Sequence, residues 1–372
     1  MGKKEFEKEL PELKNGVSEN MPLLLFVGTY TKNNKSKGIY LYQMSPRSGE
    51  LSFVSSSKTA NPSYLTIHPN KLWLYAVNES TGDNPKSNGS ISAFKIDQVN
   101  NRLRFINSVS SHGSFPCHVS IDQTGNFALL ANYGTGNVAV FPINGNGSLK
   151  EACSIHQNVG NGPAPEQEGP HAHMIVPGPA NFIYSTDLGT DSILLYSSDH
   201  HGNLLLLKKI ALKAGAGPRH ITFHSNQKWV YLINELNGTI ESFKLDASTG
   251  DFADFQTTST LADGQTNFAG GSDIHISPSG KYLYASNRGD VNNIAIYKIN
   301  QDSGELQLQG HKPVSGKTPR NFVIDPTGTF LLVANQHSNQ VITFRIDAES
   351  GELCETGFKT EVPMPVCLKF LI

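Results

Sequence analysis

The sequence predicts an all-β fold, a seven-bladed β-propeller whose ring is closed by the C-terminal strand joining the first blade. Three observations predict it: a six-residue phrase recurring about every 50 residues, a fixed strand–turn–strand order inside each repeat, and a truncated last copy of the phrase at the chain's end.

The phrase is a proline followed by alternating polar and apolar positions. It runs Pro62-Ser63-Tyr64-Leu65-Thr66-Ile67, Pro116-Cys117-His118-Val119-Ser120-Ile121, Pro170-His171-Ala172-His173-Met174-Ile175 and Pro218-Arg219-His220-Ile221-Thr222-Phe223. Gly271-Ser272-Asp273-Ile274-His275-Ile276 and Pro319-Arg320-Asn321-Phe322-Val323-Ile324 follow. Period-two alternation is the mark of a half-buried strand. After it comes turn chemistry such as Asp325-Pro326-Thr327-Gly328 or Ser277-Pro278-Ser279-Gly280. An apolar strand then ends in a polar residue, as in Leu129-Leu130-Ala131-Asn132 or Leu332-Val333-Ala334-Asn335. A third alternating strand (Val138 to Phe141, Ile294 to Tyr297) and a weaker fourth complete the unit. Four short antiparallel strands in 40–50 residues, roughly, make one propeller blade.

Six full copies start near residues 62, 116, 170, 218, 271 and 319. Leu24 to Thr29 and Gly38 to Tyr42 supply the second and third strands of another blade, which lacks its own proline-led strand. Pro365-Val366-Cys367-Leu368-Lys369-Phe370 is that missing strand, so the chain's end closes on its beginning and leaves no exposed edge. Two units are expected along the chain, a charged arm over residues 1–21 and the propeller over 22–372.

Composition narrows the function. The chain has 372 residues and a formal net charge of −2, with no basic excess to hold a phosphate backbone, so nucleic acid is not an expected partner. The longest apolar run, Leu23 to Val27, is too short to span a bilayer, and no membrane partner is expected. The arm mixes Lys3, Lys4, Glu5, Glu7, Lys8 and Glu9 and does not read as a secretory signal. Cys117, Cys153, Cys354 and Cys367 lack CxxC or metal-like spacing and read as free thiols, which makes the cytoplasm the expected compartment. No GxSxG, P-loop or HExxH motif occurs, so neither a metal nor another cofactor is expected.

The innermost strands of a propeller surround a channel, and the residues that start them gather at one mouth. The first positions after the proline column read Ser63, Cys117, His171, Arg219, Ser272 and Arg320; the second read Tyr64, His118, Ala172, His220, Asp273 and Asn321. The adjoining strands exit at Tyr30, Glu79, Tyr133, Leu188, Glu235, Arg288 and Gln336. Three arginines, several histidines and two carboxylates therefore converge, and like charges so placed call for a balancing anion or acid. Arginine suits such a pocket because its fork binds carboxylate or phosphate through two hydrogen bonds. The plain alternative is interblade salt bridging of the arginines with Glu235, Glu79 and Asp273. His173 stands where the other copies carry Leu, Val, Ile, Ile and Phe, and reads as a hydrogen-bonded buried group. Asp187 ends the second strand of blade four where other blades have Asn, a structural adjustment able to carry charge to the mouth.

Gly169-Pro170-His171-Ala172-His173, Gly217-Pro218-Arg219-His220, Ile233-Asn234-Glu235-Leu236, Ala285-Ser286-Asn287-Arg288-Gly289 and Val333-Ala334-Asn335-Gln336 resemble the seven-bladed lactonase family over residues 22–372. That family includes propeller-type 6-phosphogluconolactonases and fungal-type 3-carboxy-cis,cis-muconate lactonizing enzymes. The resemblance implies a catalytic set of His171, Arg219, Glu235 and Arg288. Around it, His220, Arg320, Asp273, His118 and Gln336 are expected to bind substrate, a small anionic lactone. The implied reaction is hydrolysis of a sugar δ-lactone, with 6-phosphoglucono-1,5-lactone foremost. His171 or Glu235 would activate water, Arg219 or Arg288 would stabilise the oxyanion, and Arg320 with His220 would hold phosphate. A carboxymuconate cyclase, or a propeller serving only as a platform for protein partners, are the alternatives.

Overall fold

The computed structural model describes residues 21–31, 35–79, 88–262, 264–265 and 270–372. The arm expected over residues 1–21 lies, apart from Met21, outside the described residues. The described strands form seven four-stranded antiparallel sheets in the order the sequence predicts. Blade two runs from Leu65–Ile67 at the channel through Trp73–Asn78 and Ser90–Asp97 to Arg102–Ser110 at the rim. Blades three to seven begin at the channel with Pro116–Ile121, Ala172–Pro177, Pro218–Phe223, Gly271–Ile276 and Pro319–Ile324. Outside the strands, the described residues contain only short 3-10 turns, and no helix among them is long and apolar enough to cross a membrane.

Blade one closes the ring. Its inner strand is Pro365–Phe370, paired with Leu23–Thr29 in the register Leu25↔Phe370, Val27↔Leu368 and Gly28↔Cys367. The junction is tight: a Cβ on Gly28 would lie 2.3 Å from the Pro62 carbonyl oxygen of blade two, so only glycine fits. Apolar residues of neighbouring blades fill the spaces between sheets, as where Phe26, Leu65, Tyr75 and Val119 of blades one to three share one cluster. Outer strands are wetter; Leu204–Ala211 is mostly exposed.

The turns hold as their sequences require. Asp325 accepts the Phe330 amide on Oδ1 at 2.6 Å and the Thr327 amide on Oδ2 at 3.1 Å, while Gly328 takes a φ of 75°. All four cysteines are free.

One feature of the inner strands positions everything at the channel. In blades three, five and seven the ladder pairs Pro116↔Asn132, Pro218↔Asn234 and Pro319↔Asn335, then skips a residue and resumes at His118, His220 and Asn321. A β-bulge leaves its extra residue unpaired and turns its side chain out of the pleat. The bulged residues are Cys117, Arg219 and Arg320. Blade one skips Val366 in the same way. In blade four the pairing is Ala172↔Asp187, then Met174↔Thr186, so the skipped residue is His173.

That register corrects the sequence reading of blade four by two residues. Ala172, not Pro170, occupies the proline column; His173 takes the first position, Met174 the second, and Ile175 the apolar third, where it is fully buried. A shift of two keeps every side chain on the same face of a strand, so alternation alone could not detect it.

Candidate active site

The exits of the second strands and the bulges of the first enclose a cavity of about 330 Å³ at one mouth of the channel. Its walls are Tyr30, Glu79, Phe115, Cys117, Tyr133, His173, Glu235, Arg288 and Arg320. A larger hollow of about 430 Å³ lies near the rim of blade two, but the Asp97 in its lining is already occupied by Asn100 and Arg104. The mouth cavity gathers both acidic and basic groups from distant repeats.

At one side, Glu235 receives two guanidinium groups on the same oxygen. Arg219 Nε donates to Oε2 at 2.8 Å and Arg288 NH2 reaches it at 2.9 Å. Arg288 Nε also donates to the Gly270 carbonyl at 3.0 Å, and Arg219 NH1 donates to the Ser272 carbonyl. These backbone bonds hold both guanidinium groups whatever Glu235 does. Glu235 Oε1 has no hydrogen-bond partner among the described residues and is not a sealed atom, so it is open to the cavity. Burial alone would raise the Glu235 pKa, but Arg288 and Arg219 outweigh it and hold the carboxyl below its usual value. Burial and the neighbouring Arg288 lower Arg219 to about 10, which leaves it charged at neutral pH.

Across the cavity, Tyr30 donates its hydroxyl to Glu79 Oε2 at 2.8 Å, and the Arg320 guanidinium lies 5.5 Å from the Tyr30 ring centroid. Arg320 has no hydrogen-bond partner for its guanidinium among the described residues, so the expected salt bridging accounts for two of the three arginines and not the third. Arg219, Arg288 and Arg320 stand against Glu79 and Glu235, leaving the site one positive charge in excess.

His173 is 5% exposed and its Nδ1 has no hydrogen-bond partner among the described residues. The reading of it as a satisfied buried group is thereby corrected. Nε2 also makes no hydrogen bond among the described residues, but it is not sealed, and the ring lines the cavity. Burial, then Arg219 and His220, push its pKa well below the ordinary histidine value, so the imidazole is neutral.

The other expected residues divide clearly. His171 does not line the cavity: its Nδ1 donates to the Tyr133 carbonyl at 2.8 Å, its Nε2 lies 3.4 Å from Glu168, and its ring stacks on Tyr133 at 4.5 Å. It backs the Tyr133 wall. Asp187 accepts the His171 amide on Oδ1 at 2.9 Å and Asn158 Nδ2 on Oδ2 at 2.6 Å; it is fully buried and brings no charge to the mouth. His220 lies deeper in the channel, donating Nδ1–H to Asp273 at 2.8 Å. Asp273 is saturated by His220, His275, Asn321 and the Ile274 amide, and does not face the cavity. The His118 ring lies tilted against Tyr64, with centroids 4.3 Å apart, and accepts the Ile175 amide at 3.4 Å. Gln336 is buried beside His337. Of the expected binding residues, the structure brings Arg320 to the cavity with Arg288 and Glu235, while Arg219 supports them from beneath.

Tyr30, Glu79, Tyr133 and His173 were absent from the expected site. The first three stand at strand exits that the repeat already marked. For His173 the signal was the turn: in the other blades the proline column lies six residues before the turn residue (Pro116 to Asp122, Pro218 to His224, Pro319 to Asp325), and six back from Gly178 is Ala172.

The family described as "Lactonase, 7-bladed beta-propeller" matches residues 24–370. A Bacillus subtilis 6-phosphogluconolactonase is 36% identical over 93% of this chain and 97% of its own. One from Formosa agariphila is 38% identical over 88% and 94%. Among solved structures, a candidate 6-phosphogluconolactonase from Bacteroides fragilis superposes with a TM-score of 0.88 at 35% identity, covering 96% of this chain and 99% of that one. The Pseudomonas aeruginosa periplasmic gluconolactonase gives 0.89 at 30%, covering 94% and 99%.

Proposed function

The chain belongs to the seven-bladed β-propeller lactonase family, and from that premise we propose that it hydrolyses 6-phosphoglucono-1,5-lactone to 6-phosphogluconate at the mouth cavity. The observation that carries the site is Glu235: two guanidinium groups hold one carboxylate oxygen and leave the other facing the cavity. In this reading a water lies between Glu235 Oε1 and Nε2 of His173, giving one hydrogen bond to each. As its oxygen attacks the lactone carbonyl, one proton passes to Glu235, and the carbonyl oxygen becomes an alkoxide facing Arg288. Collapse of the tetrahedral carbon breaks the bond to the ring oxygen, which takes the proton back from Glu235 and leaves as a hydroxyl. General-base assistance of this kind is worth about 10²–10⁴-fold, and a preorganised oxyanion donor about 10²–10³-fold.

In this reading the histidine is His173 rather than His171, which the bulge of blade four supports: His173 takes the position that Arg219 and Arg320 hold in their blades. Arg320, with its unused donors, takes the phosphate. Glu79, in the same cavity, suits a ring bearing hydroxyl groups better than a dicarboxylate, and the relatives bear lactonase names; both favour hydrolysis over carboxymuconate cyclisation. A platform role would leave the convergent charges unused.

The test is hydrolysis of freshly generated 6-phosphogluconolactone by wild type and Glu235→Gln, with spontaneous opening subtracted. Wild-type acceleration that falls about 10²-fold or more in a folded Glu235→Gln protein is expected. No acceleration by wild type would overturn the substrate, and an equally active variant would overturn the role of Glu235.

A further inference from the structure

Beneath the substrate cavity the five bulge residues Cys117, His173, Arg219, Arg320 and Val366, with Ser63 of blade two, close in on a second, much smaller chamber of about 10 Å³, room for one water-sized sphere. Its lining includes Ser63, Cys117, His173, Arg219, Arg320 and Val366, and no carboxylate lines it. Two of its polar atoms, Ser63 Oγ and His173 Nδ1, are fully buried with no hydrogen-bond partner among the described residues. Leaving each so costs about 1–3 kcal/mol. Arg320 adds a guanidinium whose five N–H donors find no hydrogen-bond acceptor among the described residues, and Arg219 adds a second whose NH2 is unused. A hydroxyl, an imidazole nitrogen and two guanidinium groups around one point, with Glu235 and Asp273 both turned elsewhere, describe a place for negative charge.

We propose that this chamber is a binding site for a single small inorganic anion, chloride in the first instance, held by Ser63, His173, Arg219 and Arg320. The ion accepts from Ser63 Oγ–H, from Nδ1–H of His173 and from the guanidinium groups, so both orphaned atoms are satisfied together. It also removes the excess positive charge of the site. The bond to Nδ1 fixes the tautomer that leaves the Nε2 lone pair facing the substrate cavity. A phosphate is too large for the chamber, so the anion is separate from the substrate.

The experiment is a thermal melt of the full chain with sodium chloride against sodium methanesulfonate at constant ionic strength, together with anomalous diffraction from crystals in sodium bromide. Chloride is expected to raise the melting midpoint saturably by about 1–3 °C, with methanesulfonate inert. Bromide is expected as one peak among Ser63, His173 and Arg320. Ser63→Val, which fills the chamber with the side chain that Val366 already places in the ring, is expected to abolish both signals; Ser63→Ala weakens the ion's affinity several-fold. An absent chloride-specific shift in wild type, or a bromide peak only in the upper cavity, would overturn the proposal. Both readouts are independent of lactone hydrolysis, so they stand or fall apart from the proposed activity.

Discussion

Arg219 and Glu235 meet at 2.8 Å from the two ends of one hairpin: the bulge that opens the inner strand of blade five and the exit of the strand beside it. The guanidinium is almost wholly buried and the carboxylate is partly exposed. This contact is at once a structural tie and part of the reacting apparatus, and its two duties can be separated by substitution.

Arg219→Met leaves Glu235 with Arg288 alone and the Ser272 carbonyl without its donor. Breaking a buried ion pair costs about 3–5 kcal/mol, and Arg288 keeps the loss toward the lower end. Urea unfolding of the variant should show it. Arg219→Lys should recover little, since an ammonium cannot span Glu235 and the Ser272 carbonyl as the guanidinium does.

Arg320 predicts the opposite pattern. With no protein hydrogen-bond partner for its guanidinium among the described residues, Arg320→Met should melt within a few degrees of wild type. Its KM for 6-phosphogluconolactone should rise at least about tenfold, the scale of one charge-assisted contact, while kcat/KM for unphosphorylated gluconolactone changes little. Equal effects on both lactones would place the phosphate elsewhere.

The two histidines of blade four should behave differently. His173→Phe removes an acceptor at the cavity and should lower kcat about 10²-fold with KM nearly kept. His171→Phe keeps a ring against Tyr133 and should retain most of kcat. Reversal of that order would return the catalytic role to His171.

Stability should fall with pH through the histidine range. Burial, then Arg219, lowers His220 from 6.5 to about 4 in the folded state, and burial also pushes His118 and His173 well down. The unfolded chain takes up these protons below about pH 6.5 and the folded chain does not. The stabilisation is therefore complete above 6.5 and lost as pH falls toward 4, by about 3 kcal/mol for His220 alone. Glu235 and Asp273, both held below their ordinary values, add further loss only as pH falls below about 4. Urea midpoints from pH 7.5 to 4.5 should slope downward; a flat profile would show that these imidazoles accept protons in the folded state.

Asp187 and Asn158 form a pair that can be swapped. Asp187→Asn alone turns an amide toward the Asn158 amide and should cost about 1–3 kcal/mol. Adding Asn158→Asp restores donor and acceptor, and the double variant should regain most of that loss in a thermodynamic cycle.

The blade count, the ring closure through Pro365–Phe370 and the gathering of Arg219, Glu235, Arg288 and Arg320 at one mouth were all legible in the sequence. Each repeat carries its own strand alternation and turn chemistry, and those are local properties of the chain. What only the tertiary structure decided lies at the bulges. A bulge adds one residue to one strand without altering composition, and a slip of two leaves the apolar pattern intact, so the placement of His173 rather than His171 at the cavity left no trace in the alternation and showed only in the spacing to the turn at Gly178. Asp273, His220 and His118 stand one position after the column of Arg219 and Arg320, and nothing in the alternation says that the first column is bulged toward the cavity while the second is not. Their withdrawal from the cavity follows from packing within and across blades: Asn321 of blade seven and His275 of its own strand close over Asp273, and Tyr64 of blade two covers His118. Sequence periodicity determined which residues stand in a ring around the channel; packing across the ring decided which of them are left free to act.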